Sequence, residues 1–174
     1  LCVSTVAATG WTNTGSATMT KTFYYGDTIN LSSVITPTRK TGYTGASYAV
    51  TSGVGSISNG VFTVGAGNVT ITVSATGISA PTASISGGAT KVFNYQDTTL
   101  TGSNATSYDN GITVKYNFGT SDTENGTDTY GGSATTTNTK NIAEDAYRGT
   151  KYYKVKITAS DGTLTSSEVT SSAT

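Results

Sequence analysis

Val69-Thr70-Ile71-Thr72-Val73-Ser74-Ala75 alternates strictly between apolar and hydroxyl side chains. Successive side chains of a β-strand point to opposite faces, so Val69, Ile71, Val73 and Ala75 share one face and Thr70, Thr72 and Ser74 the other. A helix, with its 3.6-residue period, would scatter the same apolar residues around its axis. Val, Ile and Thr are also β-branched and fit a pleated surface. The stretch reads as a strand buried on one side.

The same two-residue period recurs outward from it. Toward the N-terminus it runs over residues 21–25, 28–34, 47–50 and 61–64. Glycine-containing segments separate these runs and predict turns: Gly42 and Gly45, Gly53 and Gly55, Asn59-Gly60, and Gly65-Ala66-Gly67-Asn68. Asn-Gly between alternating segments is a hairpin signal, because both residues tolerate positive φ. Toward the C-terminus the runs are 82–86, 91–95, 112–118, 151–159 and 163–169. In the fourth, Tyr153, Val155, Ile157 and Ala159 share a face opposite Lys154, Lys156 and Thr158, and Asp161-Gly162 predicts a hairpin turn into the last run. Residues 141–147 form the best helical candidate, one or two turns ended by Gly149. Short strands at this spacing predict an all-β fold of sandwich type.

The chain has 174 residues, enough for two small sandwiches, and the boundary is placed at residues 76–81, ending on Pro81. The expected domains are 1–79 and 80–174. An internal echo agrees with a tandem. Residues 20–28 (TKTFYYGDT) and 90–98 (TKVFNYQDT) match at six of nine positions, as if each module opened on the same edge strand and turn.

Thr and Ser make up about a third of the chain, while charged residues are only 11%, against about 25% in ordinary domains. Ten basic and ten acidic residues cancel, so there is no basic stripe for nucleic acid. No run of 18 apolar residues predicts a membrane-spanning helix. The single cysteine, Cys2, cannot close an intrachain disulfide and reads as a small apolar residue of the first strand.

Several of these segments resemble bacterial immunoglobulin-like modules. Residues 25–31 (YGDTINL), Thr36-Pro37, Asn59-Gly60-Val61 and the Val69–Val73 alternation are similar to a bacterial group 2 Ig-like domain. Gly26-Asp27-Thr28, Pro37-Thr38 and Thr41-Gly42-Tyr43 also resemble the Listeria–Bacteroides repeat, whose Gly-Trp after Gly-Tyr is missing here. In the second half, residues 114–119 (VKYNFG) resemble the C strand of a PKD or related Ig-like domain. Residues 149–157 (GTKYYKVKI) with Asp161-Gly162 resemble its F strand and F–G turn. Tyr153 stands two residues before Val155, at the spacing of a tyrosine corner. The resemblance implies two tandem Ig-like β-sandwich domains, without the B–F disulfide and with Phe118 in place of the core Trp. Such modules serve adhesins, secreted enzymes, surface layers and phage virions alike, so the fold alone does not fix a function.

The inventory of reactive groups argues against catalysis. The chain has no His, which removes the commonest general base and the usual triads. No glycine-rich phosphate loop is present. The Asp and Glu residues sit mainly in predicted turns, where a carboxylate commonly bonds its own backbone. One cluster stands out: residues 121–128 (SDTENGTD) carry Asp122, Glu124 and Asp128, with an amide, in one loop. These oxygens make a calcium candidate. The loop departs from the EF-hand pattern in its Gly position and its missing final Glu, and a solvated acidic loop is the competing reading. No other cofactor is expected.

Tyr is frequent. Tyr24, Tyr25, Tyr43, Tyr48, Tyr130, Tyr147 and Tyr152 are candidates for partial exposure, and Tyr among Ser, Gly and Asn is the composition of binding loops. Tyr43 and Tyr48 are the candidate binding surface, whereas Tyr116 and Tyr153 read as sandwich cover. Lys21, Lys91 and Lys156 lie in strand-like runs, where some Gram-positive surface modules place isopeptide lysines; a solvated Lys is the alternative.

Three functions fit these features. The leading one is a non-enzymatic extracellular stalk or binding module of a bacterial cell-surface protein, serving adhesion or structural display. Its partner would be a protein or glycan, or neighbouring domains and subunits of a larger surface assembly, with neither nucleic acid binding nor membrane insertion. The alternative is a bacteriophage virion component, a decoration or fibre protein at the virion surface. The third is an accessory carbohydrate-binding domain of a secreted enzyme, which needs aromatics aligned on one face; Trp11 is the only Trp.

Overall fold

The computed structural model describes residues 2–12, 18–20, 23–34, 37–87, 97–143 and 150–174. The fold is all-β: among the described residues the only helix is a single four-residue turn. The chain divides into two compact units, Leu1–Gly77 and Ile78–Thr174.

Unit 1 contains β1 (Cys2–Ala7), β2 (Trp11–Thr12), β3 (Thr18–Thr20), β4 (Thr28–Asn30), α1 (Leu31–Val34), β5 (Thr38–Arg39), β6 (Tyr43–Thr44), β7 (Ser47–Ser58) and β8 (Val61–Ser74). A short strand, β9 (Gly77–Ile78), follows at the division between the units. β8 organises unit 1. Antiparallel β7 lies along one edge of it. The other edge takes antiparallel β4 over Val61–Thr63 and parallel β1 over Val69–Val73, with β3 outside β1. β2 and β5 form a separate two-stranded ladder.

The hairpin between β7 and β8 turns on Asn59-Gly60, both at positive φ (49° and 74°), where the sequence predicts it. Gly42 also lies in a turn and Gly45 in the loop between β6 and β7, as predicted, but the remaining two glycine segments are not turns. Gly53 and Gly55 lie inside β7, and Gly65 and Gly67 inside β8. The apolar residues give the reason. Phe62 and Val64 occupy even positions of β8, whereas Val69 and Ile71 occupy odd ones, yet all four are buried in one core. A strand can do this only if an irregularity resets its alternation between the two sets. β7 makes the matching change from Tyr48 and Val50 to Ile57, with register shifts between Val50 and Ser52 and between Gly53 and Gly55. The glycines permit it. A Cβ on Gly53 would lie 2.0 Å from the Asn68 carbonyl oxygen, and one on Gly65 would lie 2.7 Å from the Val54 backbone.

Two other expectations change in unit 1. The strand predicted over 21–25 is not one at its described end: residues 23–27 form a loop and turn, and the strand lies earlier, at β3. The run predicted over 28–34 is a strand only to Asn30. The Asn30 side-chain oxygen accepts the Ser32 backbone N–H at 3.2 Å, Ser33 Oγ donates to the Asn30 carbonyl, and the chain turns helically while Leu31 stays fully buried.

Unit 2 contains β10 (Ala83–Gly87), β11 (Thr98–Asn104), β12 (Thr113–Ser121), β13 (Thr129–Tyr130), β14 (Thr139–Ile142), β15 (Tyr152–Ser160) and β16 (Val169–Thr170). It is a sandwich of two antiparallel sheets ordered β10-β11-β14 and β13-β12-β15-β16. Leu100 from the first sheet meets Phe118, Val155 and Ile157 from the second, with Ala83, Ile85, Val114, Tyr116, Ile142 and Tyr153 packed around them. Each large apolar side chain so buried contributes about 1.5–3 kcal/mol.

The candidate helix at 141–147 is not formed at its start. Asn141 and Ile142 belong to β14, paired with Thr99 and Thr98, and Ile142 packs on the core. The rest of that segment, apart from Ala143, lies outside the described residues. So do Lys21, Lys91, Tyr147 and most of the second copy of the internal echo. Tyr153 packs on the core as expected, while residues 144–149, where a tyrosine corner would find its acceptor, are also outside.

The last run, 163–169, is not a continuous strand. Asp161 Oδ1 accepts the N–H groups of Thr163 (2.9 Å) and Leu164 (2.7 Å), forming the predicted turn. After a bridge at Thr165, pairing resumes only at β16. Two buried serines fill the gaps in the ladder. Ser166 Oγ accepts the Ala159 N–H and Ser171 Oγ accepts the Val155 N–H, each at 3.0 Å.

Candidate binding surface

Among the described residues of unit 1, the most exposed large hydrophobic residues are Tyr24 (76%) and Tyr25 (85%). They stand on a turn that is tied at every corner. Asp27 N–H donates to the Tyr24 carbonyl at 3.1 Å, and the Asp27 carboxylate accepts the Tyr24 N–H at 2.7 Å. The turn is also pinned to β8: Gly26 N–H donates to the Val64 carbonyl at 3.0 Å, and Val64 N–H to the Asp27 carbonyl at 2.8 Å. Gly26 takes the positive φ (87°) the turn needs.

Beside this turn lies an open groove of about 420 Å³. Tyr25 and Gly26 form one wall, Val54 and Ser56 of β7 another, and Thr63 and Ala66 of β8 complete it. The groove sits at the irregular stretch of the hairpin. Glycines there let the two backbones approach without filling the space with side chains. Val54 is itself 48% exposed.

Tyr43 and Tyr48, singled out from the sequence as a binding surface, sit elsewhere. Tyr43 is buried (8% exposed), with its ring over Gly10, where a Cβ would lie 2.6 Å from the ring. Tyr48 is half-buried and packs on the unit 1 core. Of the wider set of tyrosines, among the described residues, Tyr24 and Tyr25 are exposed and Tyr130 and Tyr152 are half-buried, like Tyr48.

In unit 2 the polar face of the four-stranded sheet gathers its charges. Tyr130 lies across Gly119, where a Cβ would come within 2.6 Å of the ring, and reaches Lys156, whose ammonium is 4.4 Å from the ring centroid. Lys156 also pairs with Glu168 at 2.8 Å. The Glu168 hydrogen bond holds the Lys156 ammonium above its ordinary lysine value. Burial, then the Asp128 carboxylate, pushes the Tyr130 phenol up, against the pull of Lys156. The face away from the core is thus where Lys156 points, paired across the sheet.

The acidic loop is distributed in the same way. Asp128 pairs with Lys154 at 3.1 Å, both side chains largely buried (11% and 16% exposed). Asp122 pairs with Lys151. Glu124 is exposed in a turn closed by the Gly126 N–H on the Thr123 carbonyl at 3.0 Å. Two of the three calcium-candidate carboxylates therefore face lysines. Among the described residues, no three His, Cys, Asp or Glu side chains form a group able to hold a metal ion. The Asp128 Oδ1 and Tyr130 hydroxyl oxygens are buried without a protein hydrogen-bond partner. Both are on β13 or just before it, two residues apart.

Sequence reasoning did not find the groove. Tyr24-Tyr25-Gly26-Asp27 has the composition of a turn, which was the available signal, but alternation placed Tyr24 and Tyr25 in a strand. Val54 carried no signal, since its exposure follows from the irregularity in β7.

No protein-family model matches the sequence, no curated protein matches it, and no solved structure matches the fold.

Proposed function

We propose that this chain is a non-enzymatic, Ig-like module of an extracellular bacterial surface protein, which displays or spaces a binding surface. The observation that carries the reading is where the charges go. In unit 2, Lys151, Lys154 and Lys156 each meet a carboxylate from another segment of the same unit. Paired in this way they brace strands and are poorly placed to act as acid, base or nucleophile. Among the described residues, those lining the groove of unit 1 are neutral. The sandwich topology supports the Ig-like part of the reading: β10-β11-β14 against β13-β12-β15-β16 corresponds to strands A-B-E against C′-C-F-G. The resemblance of residues 114–119 and 149–157 to C and F strands falls on β12 and β15 accordingly.

A second reading, a subunit of a virion or another extracellular assembly, is favoured by β7. This strand has twelve residues, pairs only with β8 among the described residues, and contains neither a charge nor a proline. Edges of that kind template pairing with another chain unless they are guarded. Its bulges supply a partial guard. Sedimentation velocity at several concentrations separates the readings. A monomer throughout supports the display module; a discrete, symmetric particle sinks it in favour of the assembly subunit.

A further inference from the structure

We infer that the groove beside Tyr25 is a binding site for a neutral saccharide. The inference rests on the reading of the chain as a display module and names the ligand class of its unit 1 surface. Three observations carry it. First, the aromatic wall stands on a fixed turn: Tyr25 is 85% exposed, yet the Tyr24–Asp27 turn that carries it is closed on itself and held by two hydrogen bonds to Val64. An exposed Tyr on a fixed backbone offers a flat apolar face and a polar tip, which suits a sugar ring with C–H bonds on one face and hydroxyls at its rim.

Second, the opposite walls supply matching chemistry. Val54 gives an exposed apolar contact, and the hydroxyls of Ser56 and Thr63, both on exposed residues, can donate and accept. The volume of about 420 Å³ falls within the about 300–1,000 Å³ typical of small-molecule sites.

Third, the charge pattern selects the class. Among the described residues no Asp, Glu, Lys or Arg lines the groove, and the carboxylate of Asp27, next to Gly26, is turned back onto the Tyr24 N–H. A phosphate, a sialic or uronic acid, or a charged peptide side chain would lose its hydration there without a counter-charge. A neutral sugar loses only hydroxyl hydration, which the Ser56 and Thr63 hydroxyls can replace.

The test is saturation-transfer NMR on the whole chain with cellohexaose, maltohexaose and chitohexaose, and with sialyllactose as the charged probe. At least one neutral hexasaccharide is expected to bind, and Tyr25→Ala to weaken it by about tenfold or more. Because Tyr25 is exposed, that variant keeps its fold, which its circular dichroism melt verifies. A second variant, Val54→Asp, is expected to weaken the same ligand from the opposite wall. The inference is overturned if none of the three neutral probes binds, if sialyllactose alone binds, or if binding survives both substitutions. It also falls if Tyr25→Ala changes the sedimentation of the chain with no sugar present, since the groove is then a subunit contact. A monomer that binds none of the probes overturns this inference and leaves the display reading standing.

Discussion

Ser171 and Val155 exchange two hydrogen bonds of different kinds: the Ser171 N–H donates to the Val155 carbonyl at 3.0 Å, and the Val155 N–H donates to Ser171 Oγ at 3.0 Å. A side chain thus stands in for a backbone carbonyl where β16 breaks off. Ser166 and Ala159 repeat the arrangement five residues earlier. Val155 is fully buried, so its N–H has no access to water once that oxygen is removed. Ser171→Ala is expected to lower stability by about 1–3 kcal/mol, the cost of a buried unsatisfied donor. Ser172→Ala, at an exposed position, is expected to stay within about 0.5 kcal/mol. Urea unfolding followed by circular dichroism reads both. Equal effects would mean that Oγ is not the working acceptor.

The lysine–carboxylate pairs of unit 2 differ in burial and should differ in consequence. Asp128 and Lys154 are both largely out of solvent, whereas the Asp122 side chain is 79% exposed. Asp128→Ala leaves a largely buried ammonium without its partner, with an expected loss of about 2–4 kcal/mol. Asp122→Ala removes a solvent-screened pair and should cost about 0–1 kcal/mol. The same unfolding measurement, repeated at high salt, distinguishes them: the Asp128 effect persists and the Asp122 effect shrinks further.

How legible the molecule was in its sequence depended on whether one strand's alternation could be followed without interruption. The 69–75 run and the 151–159 run each have an unbroken two-residue period, and both are strands at the expected register. The Asn59-Gly60 turn was legible because both residues carry the φ requirement themselves. The glycines at 53, 55, 65 and 67 were misread because composition marks a turn, whereas only pairing across two strands reveals a bulge. The change of apolar parity between Val64 and Val69 was the clue available. Asn30 ended its strand through a side-chain cap that alternation does not register. At the surface, Tyr43 was a candidate for partial exposure because nothing local shows that Gly10, 33 positions earlier, leaves a space for its ring. Likewise, the carboxylates of the 121–128 loop read as a group until the lysines of β15 and of the residue before it drew two of them apart.

Gly53 and Gly26 both hold positive φ, at 92° and 87°, but only one is crowded. A Cβ on Gly53 would meet the Asn68 carbonyl oxygen at 2.0 Å and the Val69 Cα at 2.8 Å, whereas one on Gly26 would meet nothing within 4 Å. Gly26→Ala is therefore expected to cost about 1–2 kcal/mol, from backbone strain alone. Gly53→Ala must in addition push β8 away from β7, and its cost should exceed that of Gly26→Ala by about 1–3 kcal/mol. Amide hydrogen exchange gives a second readout: faster exchange across β7 and β8 is expected in Gly53→Ala only. Indistinguishable exchange in the two variants would show that the hairpin does not depend on close approach at Gly53.

Alkaline pH should loosen unit 2 through Tyr130. Its phenol is raised above the ordinary value, by burial first and then by the Asp128 carboxylate, so the folded protein holds that proton more tightly than the unfolded chain does. Linkage fixes the sign: the contribution is fully present below the unfolded phenol value, about 10, and is lost as pH climbs through the folded one. Tyr108 acts in the same direction, raised by burial while its hydroxyl donates to the Ser79 carbonyl at 2.9 Å. Lys156, raised by its Glu168 hydrogen bond, follows the same sign. Urea midpoints should therefore be flat with pH up to about 9 and fall above about 10. Tyr130→Phe keeps the ring over Gly119 and removes the titrating hydroxyl, so its midpoint should fall less steeply over that range. Tyr108→Phe loses the bond to Ser79 at every pH, so it should lower the whole curve as well as flatten it. If the Tyr130→Phe curve runs parallel to that of the parent protein, the phenol makes no contribution to the alkaline loss and the decline belongs to other groups.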